Sequence, residues 1–304
     1  MRPWIIRFAL SSGTYCRMAP NQSVLTPAGV SARPFLSPVR CLNHFWNYRA
    51  MIYRFYVREM QKQYASTALG VGVAVVQSLA LLAIYVFVFS YVFRLRWGDS
   101  ETEGSAVGFG IVLFAGLIIF SLLADSLSAA TSLITANAKL VTKVVFPVEI
   151  LPIVVVLRVA TVAGINLGVL MLGMLFTTGH IPYTVLPGIL VVLAFAVFSL
   201  GITYFVAAVS PFFRDLSHLV GVVLRLLMYG TPIFYSLERV GPKLRHVLVL
   251  NPLTWAVESA RMLLTQELWP PTSYLVGSGV ISLVTLYAGV LFFMKLRNGF
   301  RDVL

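Results

Sequence analysis

The residue types that ordinarily do chemistry are sparse in this 304-residue chain and poorly placed for it. Its four histidines, His44, His180, His218 and His246, are scattered, with no metal-ligand spacing and no neighbouring carboxylate pair. The chain has no Gly-x-x-x-x-Gly-Lys-Ser/Thr loop, so ATP-driven work would need a partner that holds the nucleotide. Cys16 and Cys41 are too few and too badly placed for a disulfide framework. Two arginines, Arg158 and Arg225, fall inside strongly apolar stretches, where a charge costs roughly 3 kcal/mol on insertion scales and normally faces a cavity, a partner or the interface. Arg225 lies about midway along its stretch and suits a pore-facing or inter-helix role. Arg158 is close enough to the end of its stretch for either snorkelling or pairing with a neighbouring helix. Tyr85, Phe89 and Phe93 share one helical face in an aromatic-rich run. Such rings suit the C–H faces of a sliding sugar, and equally an interfacial belt or lipid-facing packing.

The elements that position these residues follow from composition. The chain is 59% hydrophobic and 11% charged, where soluble domains carry roughly a quarter charged residues, and this excludes a soluble globular protein. Six nearly uncharged stretches, 69–93, 107–124, 150–176, 185–209, 217–235 and 273–294, are each long enough to cross about 30 Å of hydrocarbon as a helix. The expectation is an all-α integral membrane fold with six transmembrane helices. The net charge of +12 has no basic cluster alternating with stacking aromatics, so it is read through topology and not as a nucleic-acid surface. Six spans put both termini and the loops 125–149 and 210–216 on one side, with 15 of the 23 basic residues against six on the other. Both termini are therefore expected in the cytoplasm.

Residues 1–43 are rich in Ser, Pro and Arg without periodicity and read as a disordered extension or an over-called start, ahead of a transmembrane domain at 44–304. In 44–64, Phe45, Tyr48, Ile52, Phe55 and Tyr56 recur at helical spacing, with Asn47, Arg54, Arg58 and Lys62 on another face. This predicts an amphipathic helix in the cytoplasmic headgroup region of the membrane lipid. Segment 236–272 is too apolar for an ordinary loop and too interrupted for a span. Its runs, split at Asn251-Pro252, predict external re-entrant or interfacial half-helices. Between the second and third spans, Asn137 to Lys143 forms a short amphipathic stretch ended by Phe146-Pro147, either a transmitter of motion from a soluble partner or a plain connector.

Several motifs stand in a definite order: Arg58-Glu59 and Tyr64-x-Ser66-x-x-Leu69-Gly70; Phe114-x-Gly116-Leu117; Asn137-x-x-Leu140-x-x-Lys143-x-x-Phe146-Pro147-x-Glu149-Ile150-Leu151-Pro152; Phe213-Arg214-Asp215; Thr231-Pro232-Ile233; Asn251-Pro252; and the tail Gly299 to Leu304. From about residue 45 onward the chain resembles the ABC type-2 permeases that export cell-surface polysaccharides such as O-antigen, capsule and teichoic acid. The resemblance implies a homodimer in the bacterial inner membrane, each copy bound to a cytoplasmic ABC ATPase subunit that holds ATP and Mg, with no cofactor on this chain. It implies that Asn137, Lys139, Leu140, Lys143, Phe146, Pro147 and Glu149 belong to the ATPase-coupling helix. It places Arg58, Lys62 and Tyr64 where a polyprenyl-diphosphate-linked polysaccharide is admitted, Tyr85, Phe89, Phe93 and Arg225 on the conduit, and Asn251, Pro252, Glu258 and Arg261 at the outer gate.

Three rivals set the contrast. The same fold could export a smaller lipo-oligosaccharide or drug. A glycan-modifying membrane enzyme should converge carboxylates or histidines at one membrane face, and the scattered histidines and mostly loop-bound acids argue against it. A secondary transporter should show internal repeats, and none is found.

Overall fold

The computed structural model describes residues 38–64, 70, 72–93, 106–143, 146–237 and 240–303. Most of the expected leader and the acidic loop at Asp99, Glu101 and Glu103 lie outside the described residues. Among the described residues the regular structure is helical throughout. The elements in order are α1 (Pro38–Asn47), α2 (Arg49–Tyr64), α3 (Gly72–Tyr85) continued by a π-helical stretch (Val86–Val92), α4 (Ala106–Ala130), α5 (Leu133–Ala136), α6 (Ala138–Lys143), α7 (Ile150–Thr178) and α8 (Val185–Val209). They are followed by α9 (Leu216–Gly230), α10 (Pro242–Val249), α11 (Pro252–Thr265), α12 (Thr272–Leu296), one 3₁₀ turn (Arg297–Gly299) and α13 (Phe300–Val303).

Five helices are long and apolar enough to cross a membrane: 72–89, 108–130, 150–178, 185–209 and 272–299. The stretch expected to span at 217–235 is helical only as α9, whose 15 residues rise roughly 22 Å. Thr231-Pro232 ends it, because the residue before a proline is driven out of the α region, and Thr231 is extended. Buried Thr231, Pro232 and Ile233 carry the chain onward without helical bonds. The second span runs past its expected end at residue 124 to Ala130, so Asp125 belongs to a helix and not to a loop. The interrupted external segment forms α10 and α11, two helices bent by 99° about Leu250-Asn251, as a re-entrant or broken pair is.

At the core of the bundle is α4. Leu113, Phe114, Ile118, Ile119 and Leu122 are essentially without solvent access, packed by α7, α8 and α11. By contrast α3 with its π-helical continuation and α9 keep broad apolar faces open, including Val76, Leu79 and Phe87 on the first and Leu219, Val222, Val223 and Leu226 on the second. The most extensive helix pair is α8 with α12. There the backbones meet through glycines: a Cβ on Gly289 would sit 2.3 Å from the Gly201 carbonyl oxygen, a distance no side chain tolerates. In hydrocarbon, where apolar burial drives little association, such close backbone approach supplies the packing. Several buried hydroxyls return to their own helices, Ser126 to Leu122 O, Thr203 to Ser199 O and Ser282 to Ser278 O, and so need no water in the membrane.

Both faces expected of the amphipathic segment are present. Asn47, Arg54, Arg58 and Lys62 are exposed, while Phe45, Tyr48, Ile52, Phe55 and Tyr56 are partly covered. The segment is two helices broken at Tyr48, and α1 starts at Pro38, six residues before the expected domain boundary. Tyr56 Oη and Thr161 Oγ1 share a 2.9 Å hydrogen bond that ties α2 to α7.

Candidate functional site

At one end of the bundle, four elements converge on Glu149, the residue preceding α7. Its side chain is 2% exposed. A carboxylate oxygen accepts, so His44 Nε2 of α1 donates to Oε1 at 2.8 Å, and Arg297 Nη1, just beyond α12, donates to Oε2 at 3.0 Å. The Glu149 backbone carbonyl accepts from Tyr204 Oη of α8 at 2.7 Å. Beside this hub Phe300, fully buried, packs edge-on against Phe293 at 5.4 Å and tilts against Phe212 at 6.1 Å, which gives the tail motif its place.

The connecting segment before Glu149 is divided by Asn137, whose Nδ2 donates to Leu133 O at 2.9 Å, so the expected amphipathic helix begins one residue later as α6. Lys139 is exposed and Leu140 partly so, while Val141, Phe146 and Pro147 are buried. The side chain of Lys143 lies outside the described residues. Phe146 faces inward, its ring 5.0 Å from that of Phe55 on α2. Of the seven residues expected in coupling, Phe146, Pro147 and Glu149 thus join the segment to the bundle, and Lys139 is the one with a clearly exposed side chain among those described.

Between α2, α3, α4 and α7 lies a cavity of about 640 Å³ whose walls are unusually polar for a membrane bundle. Gln77 and Ser78 enter from α3, Ser121, Asp125 and Ser128 from α4, and Arg158 and Asn166 from α7. Arg158 Nη1 donates to Gln63 Oε1 at 2.7 Å, so this intramembrane arginine pairs with the end of α2. Ser78 Oγ meets both the Ala74 carbonyl and the side-chain amide of Asn166. Tyr64 and Tyr85 line the same space. Arg58 and Lys62, expected beside Tyr64, stay on the exposed face of α2: the Arg58 guanidinium lies 5.9 Å over the Phe55 ring and Lys62 stands 4.0 Å from Glu59.

From the cavity a file of rings leads along α3. Tyr85 and Phe89 are 6.3 Å apart and Phe89 and Phe93 5.8 Å, continuing through the π-helical stretch. Phe89 also meets Phe109 of α4 at 5.5 Å and Phe234 at 6.3 Å, and Phe234 stacks with Tyr229 of α9 at 6.1 Å. Arg225 points out from the open face of α9, and makes no hydrogen bond or ion pair among the described residues.

At the opposite end the four residues expected at a gate form one network with the turn after α9. Asn251 caps α11 by accepting from Leu253 N at 3.0 Å, Pro252 fills the first helical position, and Asn251 Nδ2 donates to Thr231 Oγ1 at 3.0 Å. Arg261, fully buried, donates through Nη2 to the carbonyls of Pro232 at 2.7 Å and Ile233 at 3.0 Å and through Nη1 to Glu258 at 3.0 Å. Those carbonyls, freed by the non-helical turn, are thereby satisfied in a site closed to water. Gly116 belongs to this network: a Cβ on it would lie 3.4 Å from Arg261 Nη2 and 3.4 Å from Val257, so nothing larger than a methyl fits.

Sequence reasoning passed over Asp125, Asn166, Gln77 and Ser78, and the partners His44, Tyr204 and Arg297 of Glu149. The signal for the first four was present as polar residues inside or at the edge of apolar stretches. Three of the four histidines make side-chain hydrogen bonds: besides His44, His180 Nε2 pairs with Glu267 at 2.9 Å and His246 Nδ1 with Pro242 O at 2.6 Å.

A bundle of apolar helices, five of them long enough to span a membrane, with a polar cavity and a bent helix pair defines a multi-pass membrane protein. The ABC-2 type transporter family matches residues 52–265, from α2 to the end of α11, and the chain belongs to that family. It is 26% identical over 267 residues to the O-antigen export system permease protein RfbA of Myxococcus xanthus, covering 87% of this chain and 99% of the relative. It is also 26% identical over 251 residues to the protein of that name from Klebsiella pneumoniae, covering 81% and 92%.

Proposed function

We propose that this chain is the permease subunit of an ATP-driven exporter that moves a lipid-linked polysaccharide of the O-antigen type out of the cytoplasm across the bacterial inner membrane. The observation that carries the reading is the match over nearly the full length of relatives named as O-antigen export permeases, which disfavours a smaller substrate. The geometry is what such a role needs. A glycan must slide without tight binding, and a ring file offers stacking with no fixed hydrogen bond. Two copies associate through the open faces of α3 and α9 to enclose the conduit, so that Arg225 faces it or the partner copy. An ABC ATPase that holds ATP and Mg docks against the connecting segment around Lys139, on the cytoplasmic side with both termini. Arg58 and Lys62 receive the diphosphate of the polyprenyl carrier at the headgroup level, and the Asn251–Arg261 network is the outer gate.

The test is deletion of the gene in its host. Surface O-antigen should vanish while lipid-linked glycan accumulates inside, and the wild-type gene supplied in trans should restore the surface polymer. Undiminished surface glycan after deletion would refute the proposal.

A further inference from the structure

The cavity between α2, α3, α4 and α7 has a composition that export by sliding along rings does not require. Polar side chains within a membrane bundle are costly unless they face water or each other. Here three different helices turn theirs into one space of about 640 Å³, within the range of small-ligand sites. The ionisable groups in it are of opposite sign, since Asp125 and Arg158 both line the wall, so the cavity offers no cluster of positive charge to attract a phosphate. A diphosphate entering it would meet a carboxylate. An uncharged polyol would instead find a carboxylate and a guanidinium for paired hydroxyls, the amides of Gln77 and Asn166 for single ones, and the face of Tyr85 for a C–H surface. Tyr85 is also the first ring of the file, so what leaves the cavity steps directly onto the conduit.

We propose that this cavity is a binding subsite for one or two uncharged sugar units of the transported glycan, held by Asp125, Arg158, Asn166 and Gln77. It rests on the reading of the chain as a glycan exporter and specifies where within one copy the sugar is recognised. The subsite gives the transporter a hydrogen-bonding checkpoint ahead of the sequence-tolerant rings. Selectivity among glycans is set there, since a site built to bond hydroxyls rejects analogues that lack them.

The experiment uses the permease–ATPase complex in lipid nanodiscs. The probes are oligosaccharide released by mild acid from the host's own lipid-linked glycan and, separately, inorganic pyrophosphate. A Ser121→Cys reporter on the cavity wall, in a background with Cys16 and Cys41 replaced by serine, is labelled with a water-soluble maleimide. Oligosaccharide should slow the labelling and pyrophosphate should not. Asp125→Asn and Asn166→Ala should each raise the half-protecting oligosaccharide concentration by about tenfold, the loss of one good hydrogen bond. Protection by pyrophosphate that strengthens in Asp125→Asn would make the cavity a phosphate site and overturn the proposal. Labelling indifferent to oligosaccharide would overturn it too. The reporter reads occupancy directly and does not depend on the two variants folding. Restored surface glycan in the deletion strain reports the export reading separately, so the subsite can fail while that reading stands.

Discussion

Replacing Arg297 by methionine tests whether the Glu149 hub holds its end of the bundle together. In the native protein Glu149 is all but sealed from solvent and receives two side-chain bonds, one from Arg297 and one from His44, whose own side chains are about a quarter exposed. Charge-assisted bonds of this kind contribute about 1.5–3 kcal/mol each. Arg297→Met strands a buried carboxylate with one partner, which places the cost at the upper end, about 3 kcal/mol. Glu149→Gln leaves Arg297 and His44 able to turn toward water, and its cost should be smaller, about 1.5–2 kcal/mol. The double variant removes the stranded charge, so it should resemble Glu149→Gln alone and not the sum of the two. Thermal unfolding of the purified permease in nanodiscs, followed by loss of the monodisperse species, ranks the three. Because the hub joins α1, α7, α8 and α12 at the end where the connecting segment returns, Arg297→Met should also lower glycan-stimulated ATP hydrolysis by the partner subunit. An Arg297→Met change no more costly than Glu149→Gln, or strict additivity in the double variant, would refute the reasoning.

Other substitutions separate packing from contact. Phe146→Ala removes a buried ring from Phe55 and should destabilise the protein by about 3 kcal/mol, whereas Lys139→Glu, on an exposed side chain, should leave thermal stability unchanged and reduce co-purification of the ATPase. Gly289→Ala drives a methyl into the Gly201 carbonyl and should sharply lower the yield of monodisperse protein. Arg261→Leu frees two buried carbonyls and removes one ion-pair partner from Glu258. A loss of about 3–5 kcal/mol in unfolding experiments is expected, with Arg261→Lys unable to rescue because one ammonium does not reproduce the fork. Arg225→Ala, on an open face, should spare the stability of the isolated chain while weakening export of surface glycan.

Which residues were legible follows from what water and hydrocarbon each impose. The two faces of α2 could be read because one meets an aqueous phase, and the exposed Arg54, Arg58 and Lys62 mark it. The ends of α7, α8 and α12 were legible to within two residues for a similar reason: hydrocarbon stops where charge or Pro and Gly begin. What lay beyond reach was which helix is central. The α3 and α4 spans are almost equally apolar, yet 17% of the first and 78% of the second is buried. Lipid tails and neighbouring side chains accept the same residues, so periodicity carries no record of which face meets which.

Asp125 shows the opposite case, a charge that misled by suggesting a loop. A carboxylate ends an apolar run in any hydropathy count, but here α4 continues through it to Ala130 because the bundle supplies a polar cavity in which it can stay hydrated. The same logic explains Phe146 and Glu149. A motif can place both on a coupling segment, but order along the chain does not distinguish a side chain that meets the ATPase from one that anchors the segment. Burial shows that the phenylalanine and the glutamate hold the segment to the bundle. Force from an ATPase docked near Lys139 would then pass through Phe146 to α2 and through Glu149 to α1 and α12, so that the helix bearing Arg58, Lys62 and Tyr64 moves with the coupling segment. On the proposed function that linkage would join admission of the glycan to hydrolysis of ATP, and Arg297→Met is the substitution expected to weaken the join.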